Sequence, residues 1–183
     1  MILHRCFPLH ERVRTRSEGG PLWFPRPHQG GGRHDNPDEY GCLYVTDREE
    51  SAVVERLAPV RGSLFLPAML VQEGQPLALA AIELPDDHEL IDLDEPRVLT
   101  REGLRPSLVA TGMREITQPQ ALTLYRAQAD AAGLRWWSTQ EASWINVTLF
   151  DRARTSLRLV DVRALTPDDP AVIAATDFLG MSA

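Results

Sequence analysis

The chain has 183 residues, 43% of them hydrophobic and 25% charged, with a net charge of −7. That much apolar material supports one sizeable core, and the acidic balance excludes a general nucleic-acid binder, whose surface must be basic. No apolar run reaches the roughly 20 residues of a membrane-spanning helix and Met1-Ile2-Leu3-His4-Arg5-Cys6 lacks the apolar core of a secretory signal, so a single domain over residues 1–183, in the cytoplasm and off the membrane, is expected.

In chain order, residues 2–7 read as an opening strand stopped by Pro8. Residues 17–32 read as loop, holding three Pro and five Gly with Trp23 and Phe24 as the large anchors. Residues 42–46 read as a strand with Leu43 and Val45 on one face and Cys42, Tyr44 and Thr46 on the other. Thr46 or Asp47 is the expected cap of a following helix. Glu49 and Glu50 lie in its first turn, Val53, Val54 and Leu57 make its apolar stripe, and Glu55 lies off that stripe. Pro59 and Gly62 end it. Residues 64–71 fit a strand or a short helix, Gly74-Gln75-Pro76 a turn, and residues 77–84 and 89–93 two strands. Residues 97–113 show no period. A helix capped by Thr117 and closed at Gly133 follows, then strands at 134–138, 145–150 and 157–162, and a last helix over 170–178 behind Asp168 or Asp169. Strands outnumber helices without regular βαβ repeats, which predicts an α+β fold with curved, mostly antiparallel sheets.

All 19 basic residues are Arg. Six of them (Arg5, Arg12, Arg14, Arg16, Arg26, Arg33) fall in residues 1–33 against only Glu11 and Glu18. The planar guanidinium fork matches phosphate oxygens, so a small phosphate-bearing ligand fits better than a polymer, while Arg12, Arg14 and Arg16 read as a solvated loop. Gly30-Gly31-Gly32-Arg33 is either a phosphate cradle or a flexible loop: it lacks the Lys-Ser/Thr of a P-loop and the GxGxxG spacing of a dinucleotide fold. Arg33 is better placed than its neighbours, because the loop re-enters structured chain at Asn36-Pro37.

Cys6 and Cys42 are too few and too unpatterned for a disulfide framework or a zinc site, and read as buried thiols. The five His have no ligand spacing. His34-Asp35 would make an acid/base pair only if two adjacent side chains entered one site. Asp86, Asp87, His88, Glu89, Asp92, Asp94 and Glu95 read as a solvated edge rather than a metal site. Ser138 has no nucleophile elbow around it, and Trp136, Trp137 and Trp144 suit core or pocket wall.

The series Leu3-His4-Arg5, Gly32-Arg33-His34-Asp35-Asn36-Pro37, Leu43-Tyr44-Val45, Ala52-Val53-Val54-Glu55 and Trp136-Trp137-Ser138, with Asn146 and Leu149-Phe150 downstream, resembles the RES-domain family over residues 3 to 163. That family takes its name from an Arg, a Glu and a Ser, which fall here on Arg33, Glu55 and Ser138. His34-Asp35 stands where an aromatic residue and then Asn are common, and Asn36 comes one residue later. The resemblance implies a fold like that of ADP-ribosyltransferases and an attack on NAD⁺ as substrate, with no separate cofactor. It further implies a toxin that destroys NAD⁺ by hydrolysis or phosphorolysis, or one that ADP-ribosylates a protein, with a cognate antitoxin as partner. In those roles Glu55, Arg33 and Ser138 are the catalytic set, and Arg5, Tyr44 and Asn36 bind substrate: arginines on the diphosphate, Tyr44 against the nicotinamide. Arginine-modifying transferases of similar fold carry a second Glu two residues before the catalytic one, and Val53 stands there. A non-catalytic module holding NAD⁺ or a partner protein is the reading from another class, and a homo-oligomer stays open.

Overall fold

The computed structural model describes residues 1–182. Its first strand, β1 (Ile2–Pro8), buries Leu3 and Phe7, and β2 (Cys42–Thr46) follows a long segment that is irregular apart from a 3-10 turn at Arg26–His28. In β2 all but Tyr44 are buried, so both faces are covered.

Helix α1 (Glu49–Leu57) buries Ser51, Ala52, Val53, Val54 and Leu57 and leaves Glu55 exposed. Neither Thr46 nor Asp47 caps it. The cap is the extended Arg48, without a side-chain bond, and the Thr46 hydroxyl donates to the Arg48 carbonyl at 2.6 Å. Glu49 and Glu50 in the first turn answer the helix dipole instead. Residues 64–71 prove to be both alternatives in succession, a 3-10 turn at Pro67–Leu70 and then β3 (Val71–Gln72). The hairpin turns at Glu73-Gly74, with φ of 51° and 76°, not at Gly74-Gln75-Pro76. Two consecutive left-handed residues match the twist of the flanking strands, and Gln75 and Pro76 already belong to β4 (Gln75–Glu83).

After β5 (Leu90–Asp92) come two helices with no signature in the periodicity, α2 (Pro96–Arg101) and α3 (Pro106–Val109). Both are too short to show a stripe, and both begin on Pro, whose missing N–H costs nothing at a first helical position. Helix α4 (Arg114–Ala127) starts earlier and ends earlier than its sequence signals indicate. Thr117 lies inside it, buried, and Gly133 opens β6 (Gly133–Trp137) rather than closing the helix. A Cβ at Gly133 would collide with the Thr148 carbonyl, so this glycine serves close strand approach. The remaining elements are β7 (Ile145–Phe150), β8 (Arg158–Ala164) and α5 (Pro170–Phe178).

The fold is α+β with mostly antiparallel strand pairing, the β5–β6 pair being parallel. The chain divides into two compact units. The first holds residues 1–23, 45–83 and 158 onward. In it β4 pairs antiparallel with β1, β3 and β8, and α1 packs on α5 and β1. Arg163 ties this unit together, donating to Glu49 on α1 at 2.6 Å and to Asp169 at 2.8 Å. Asp169 also caps α5, accepting from the Ala171 N–H at 2.9 Å. The bonds from Arg163 hold both carboxyls below their ordinary range. This stabilisation is present above the unfolded carboxylate range and is lost as pH falls through the depressed folded values. Asp169→Ala removes cap and partner together and is expected to cost about 1–2 kcal/mol, read as a shift of the urea midpoint.

The second unit holds residues 24–44 and 84–157. Antiparallel β6–β7 and parallel β5–β6 build its sheet. Tyr40 stacks on Tyr125 at 4.2 Å, and Phe150 meets both edge-on. This aromatic group fixes the segment that leads from the glycine loop into β2. No helix among the described residues is long and apolar enough to cross a membrane.

Candidate functional site

The glycine run, Arg33 and Tyr44 are joined through Asp35, whose carboxylate is buried. One oxygen accepts from the N–H groups of Gly30 (2.9 Å) and Gly32 (2.6 Å), the other from the Tyr44 hydroxyl (2.7 Å). The same hydroxyl accepts from the His34 N–H at 3.0 Å. The loop carbonyls are held from α4: Gln118 donates to Gly30 and Gly32, both at 2.9 Å, and Arg114 to Gly31 at 2.9 Å. The run is therefore a strapped loop, with two of its N–H groups already engaged by Asp35. Gly32 is required by space, since a Cβ there would stand 2.5 Å from both Asp35 Oδ1 and the Tyr44 hydroxyl. Burial first, then Cys42 and Asp35, push the Tyr44 phenol well above its ordinary range.

Arg33 is 9% exposed. Its guanidinium lies 4.7 Å from the Trp136 ring centre, and Nη1 donates to the carbonyls of Val109 (3.1 Å) and Thr111. Its own carbonyl accepts from Thr117 at 2.6 Å. This explains the buried Thr117 that sequence alone makes a cap. Asn36 donates to the His34 carbonyl, the Tyr40 hydroxyl and the Gln118 carbonyl at 2.8–3.2 Å, closing the turn that follows Arg33.

His34 and Asp35 do not form an acid/base pair. The imidazole points the other way, with Nδ1 2.8 Å from the Thr148 hydroxyl and its ring edge-on to Trp136. Burial pushes this imidazole down to about 3, with Arg33 and Arg114 adding smaller parts. Unfolded, it takes up a proton near 6.5, so the stability it supports is whole above that pH and declines as pH falls toward the folded value. At pH 5 the loss is about 2 kcal/mol. Denaturant midpoints at pH 7 and pH 5 should differ accordingly in the wild type, and by clearly less in His34→Phe.

Ser138 follows β6 and is buried; its N–H donates to Trp144 at 2.8 Å, and its Oγ accepts from the Gln140 N–H at 3.0 Å. Arg33, Asn36, Tyr44 and Ser138 thus belong to the second unit, and the first three share one hydrogen-bonded loop. Arg5 and Glu55 belong to the first unit. Arg5 donates to the carbonyls of Gly20, Pro21 and Trp23 and lies over Phe7. Its guanidinium is lowered to about 10 by burial and then by Arg56. Glu55 stands exposed on α1. Thr117 and Gln118 carry no sequence signal for this site because their partners lie 84 to 88 residues away, and Asp35 is marked only by its place beside His34, although its partners Gly30, Gly32 and Tyr44 are near it in the chain.

The second unit thus holds a strapped glycine loop that leads into a buried arginine. The chain belongs to the RES-domain family, whose model matches residues 2–172. Among solved structures it is similar to a chain of the M. tuberculosis MbcT–MbcA toxin–antitoxin complex, with a TM-score of 0.62 and 17% identity over 91% of this chain and 84% of that one, a likeness of fold. No curated protein matches the sequence.

Proposed function

We propose that this protein is an NAD⁺-consuming enzyme that cleaves the bond between nicotinamide and ribose, and that it is the toxin of a toxin–antitoxin pair. The observation that carries the reading is membership of the RES family over residues 2–172; on the resemblance in sequence, Arg33, Glu55 and Ser138 would be the Arg, Glu and Ser from which the family takes its name. The solved toxin–antitoxin complex of similar fold supports a cognate antitoxin as partner.

The chemistry suits these residue types. In NAD⁺ the nicotinamide nitrogen is already cationic, so the ring leaves with the bonding electron pair as a neutral pyridine and needs no general acid. The ribose carbon develops oxocarbenium character, and one carboxylate, that of Glu55, stabilises it and holds a ribose hydroxyl. Water then adds its oxygen to that carbon and loses a proton, or phosphate adds to give the ribosyl phosphate. Arg33 takes the diphosphate. Tyr44 presents its ring to the nicotinamide, and Ser138 and Asn36 orient the ribose or amide. NAD⁺ is the substrate, and the reaction invokes no further cofactor.

Incubation with NAD⁺ in buffers with and without phosphate tests the reading through the products. Nicotinamide with ADP-ribose marks hydrolysis, and nicotinamide with a phosphorylated ADP-ribose marks phosphorolysis. Label from adenine-labelled NAD⁺ on protein marks ADP-ribosyl transfer, and unchanged NAD⁺ rejects the proposal.

A further inference from the structure

We propose that the Tyr44 hydroxyl and the Asp35 carboxylate are positioning groups for Arg33; this rests on the reading of Arg33 as the grip on an NAD⁺ diphosphate. The N–H groups on both sides of Arg33 lead back to one strand side chain, Tyr44, directly at His34 and through Asp35 at Gly32, while α4 holds the carbonyls of Gly32 and Arg33. The Tyr44 hydroxyl accepts from the His34 N–H just after Arg33 and donates to Asp35 (3.0 and 2.7 Å), and Asp35 holds the Gly32 N–H just before it at 2.6 Å. Thr117 holds the intervening Arg33 carbonyl.

Tyr44 sits on a regular strand, β2, whereas residues 30–36 have one long turn bond of their own, from the Asp35 N–H to the Gly32 carbonyl at 3.4 Å. The hydroxyl therefore transfers the rigidity of the strand to the arginine. A guanidinium recognises a diphosphate by a fork of fixed direction, so a small rotation of its peptide frame weakens that recognition. Two roles of Tyr44 become separable: the ring can face the nicotinamide, while the hydroxyl acts on Arg33.

The test compares wild type, Tyr44→Phe, Arg33→Ala and the double variant, each first shown to be folded by circular dichroism and thermal melting. Steady-state nicotinamide release and calorimetric binding of ADP-ribose are then measured. Tyr44→Phe keeps the ring, so the expected result is a KM and an ADP-ribose Kd raised by roughly tenfold, the loss of about one hydrogen bond, with kcat within a factor of about two. In the Arg33→Ala background the same change should leave both constants unmoved, because the group through which Tyr44 acts is gone. Additive losses in the double variant, a fall in kcat alone, or no effect of Tyr44→Phe would overturn the proposal. If the wild type binds ADP-ribose but releases no nicotinamide, the proposed activity fails while the binding cycle still decides the positioning role. A wild type that neither binds ADP-ribose nor releases nicotinamide overturns both.

Discussion

Asp35→Ala is expected to lower the folding stability by about 3–5 kcal/mol. The carboxylate is 4% exposed and receives three hydrogen bonds, from Gly30, Gly32 and Tyr44. Hydrogen bonds to a charged acceptor contribute about 1.5–3 kcal/mol each, and donors left buried without a partner add a desolvation cost; shared partners make the sum less than additive. An ordinary surface aspartate would cost under about 0.5 kcal/mol, so guanidinium-chloride midpoints separate the two cases. Asp35→Asn should fall between them, since its NH₂ group turns one acceptor into a donor facing another donor. A midpoint for Asp35→Ala equal to that of the wild type would mean that the loop is not held as described.

Glu55→Gln is expected to reduce nicotinamide release at least about 10²-fold while leaving the melting temperature unchanged. Electrostatic stabilisation of a developing cation is lost with the charge, and the loss of one such group typically costs 10²–10³ in kcat. Stability should hold because Glu55 is exposed on α1, whereas the burying face is made by Ser51, Ala52, Val53, Val54 and Leu57. A melting point that falls along with activity would make Glu55 a structural residue instead.

The places of strands β1, β2 and β7 and helix α5 are legible from local signals, β-formers, an apolar run, or Asp169-Pro170 at a helix start, although the alternation expected in β2 gives way to burial on both faces. What misled was dual use of the same residue types. Thr117 has the chemistry of a cap but uses it on the Arg33 carbonyl 84 residues away in sequence, and Gly133 could end a helix but instead lets β6 approach β7. Helices α2 and α3, of six and four residues, cannot show a 3.6-residue period. In the candidate site, the identity of Arg33, Glu55 and Ser138 came from resemblance, since periodicity marks Glu55 only as lying off the apolar stripe. The strapping of the glycine loop by Gln118 and Arg114 has no sequence signal, because it depends on bringing α4 against residues 30–36, and that by Asp35 depends on a local turn that no period marks.

The most direct measurement is the amount of nicotinamide formed when NAD⁺ is supplied in large excess over the purified protein, beside Glu55→Gln at the same concentration. Many nicotinamides per wild-type molecule and almost none from the variant are expected. NAD⁺ that stays intact while it raises the melting temperature of the wild type would contradict this and identify a binding module instead.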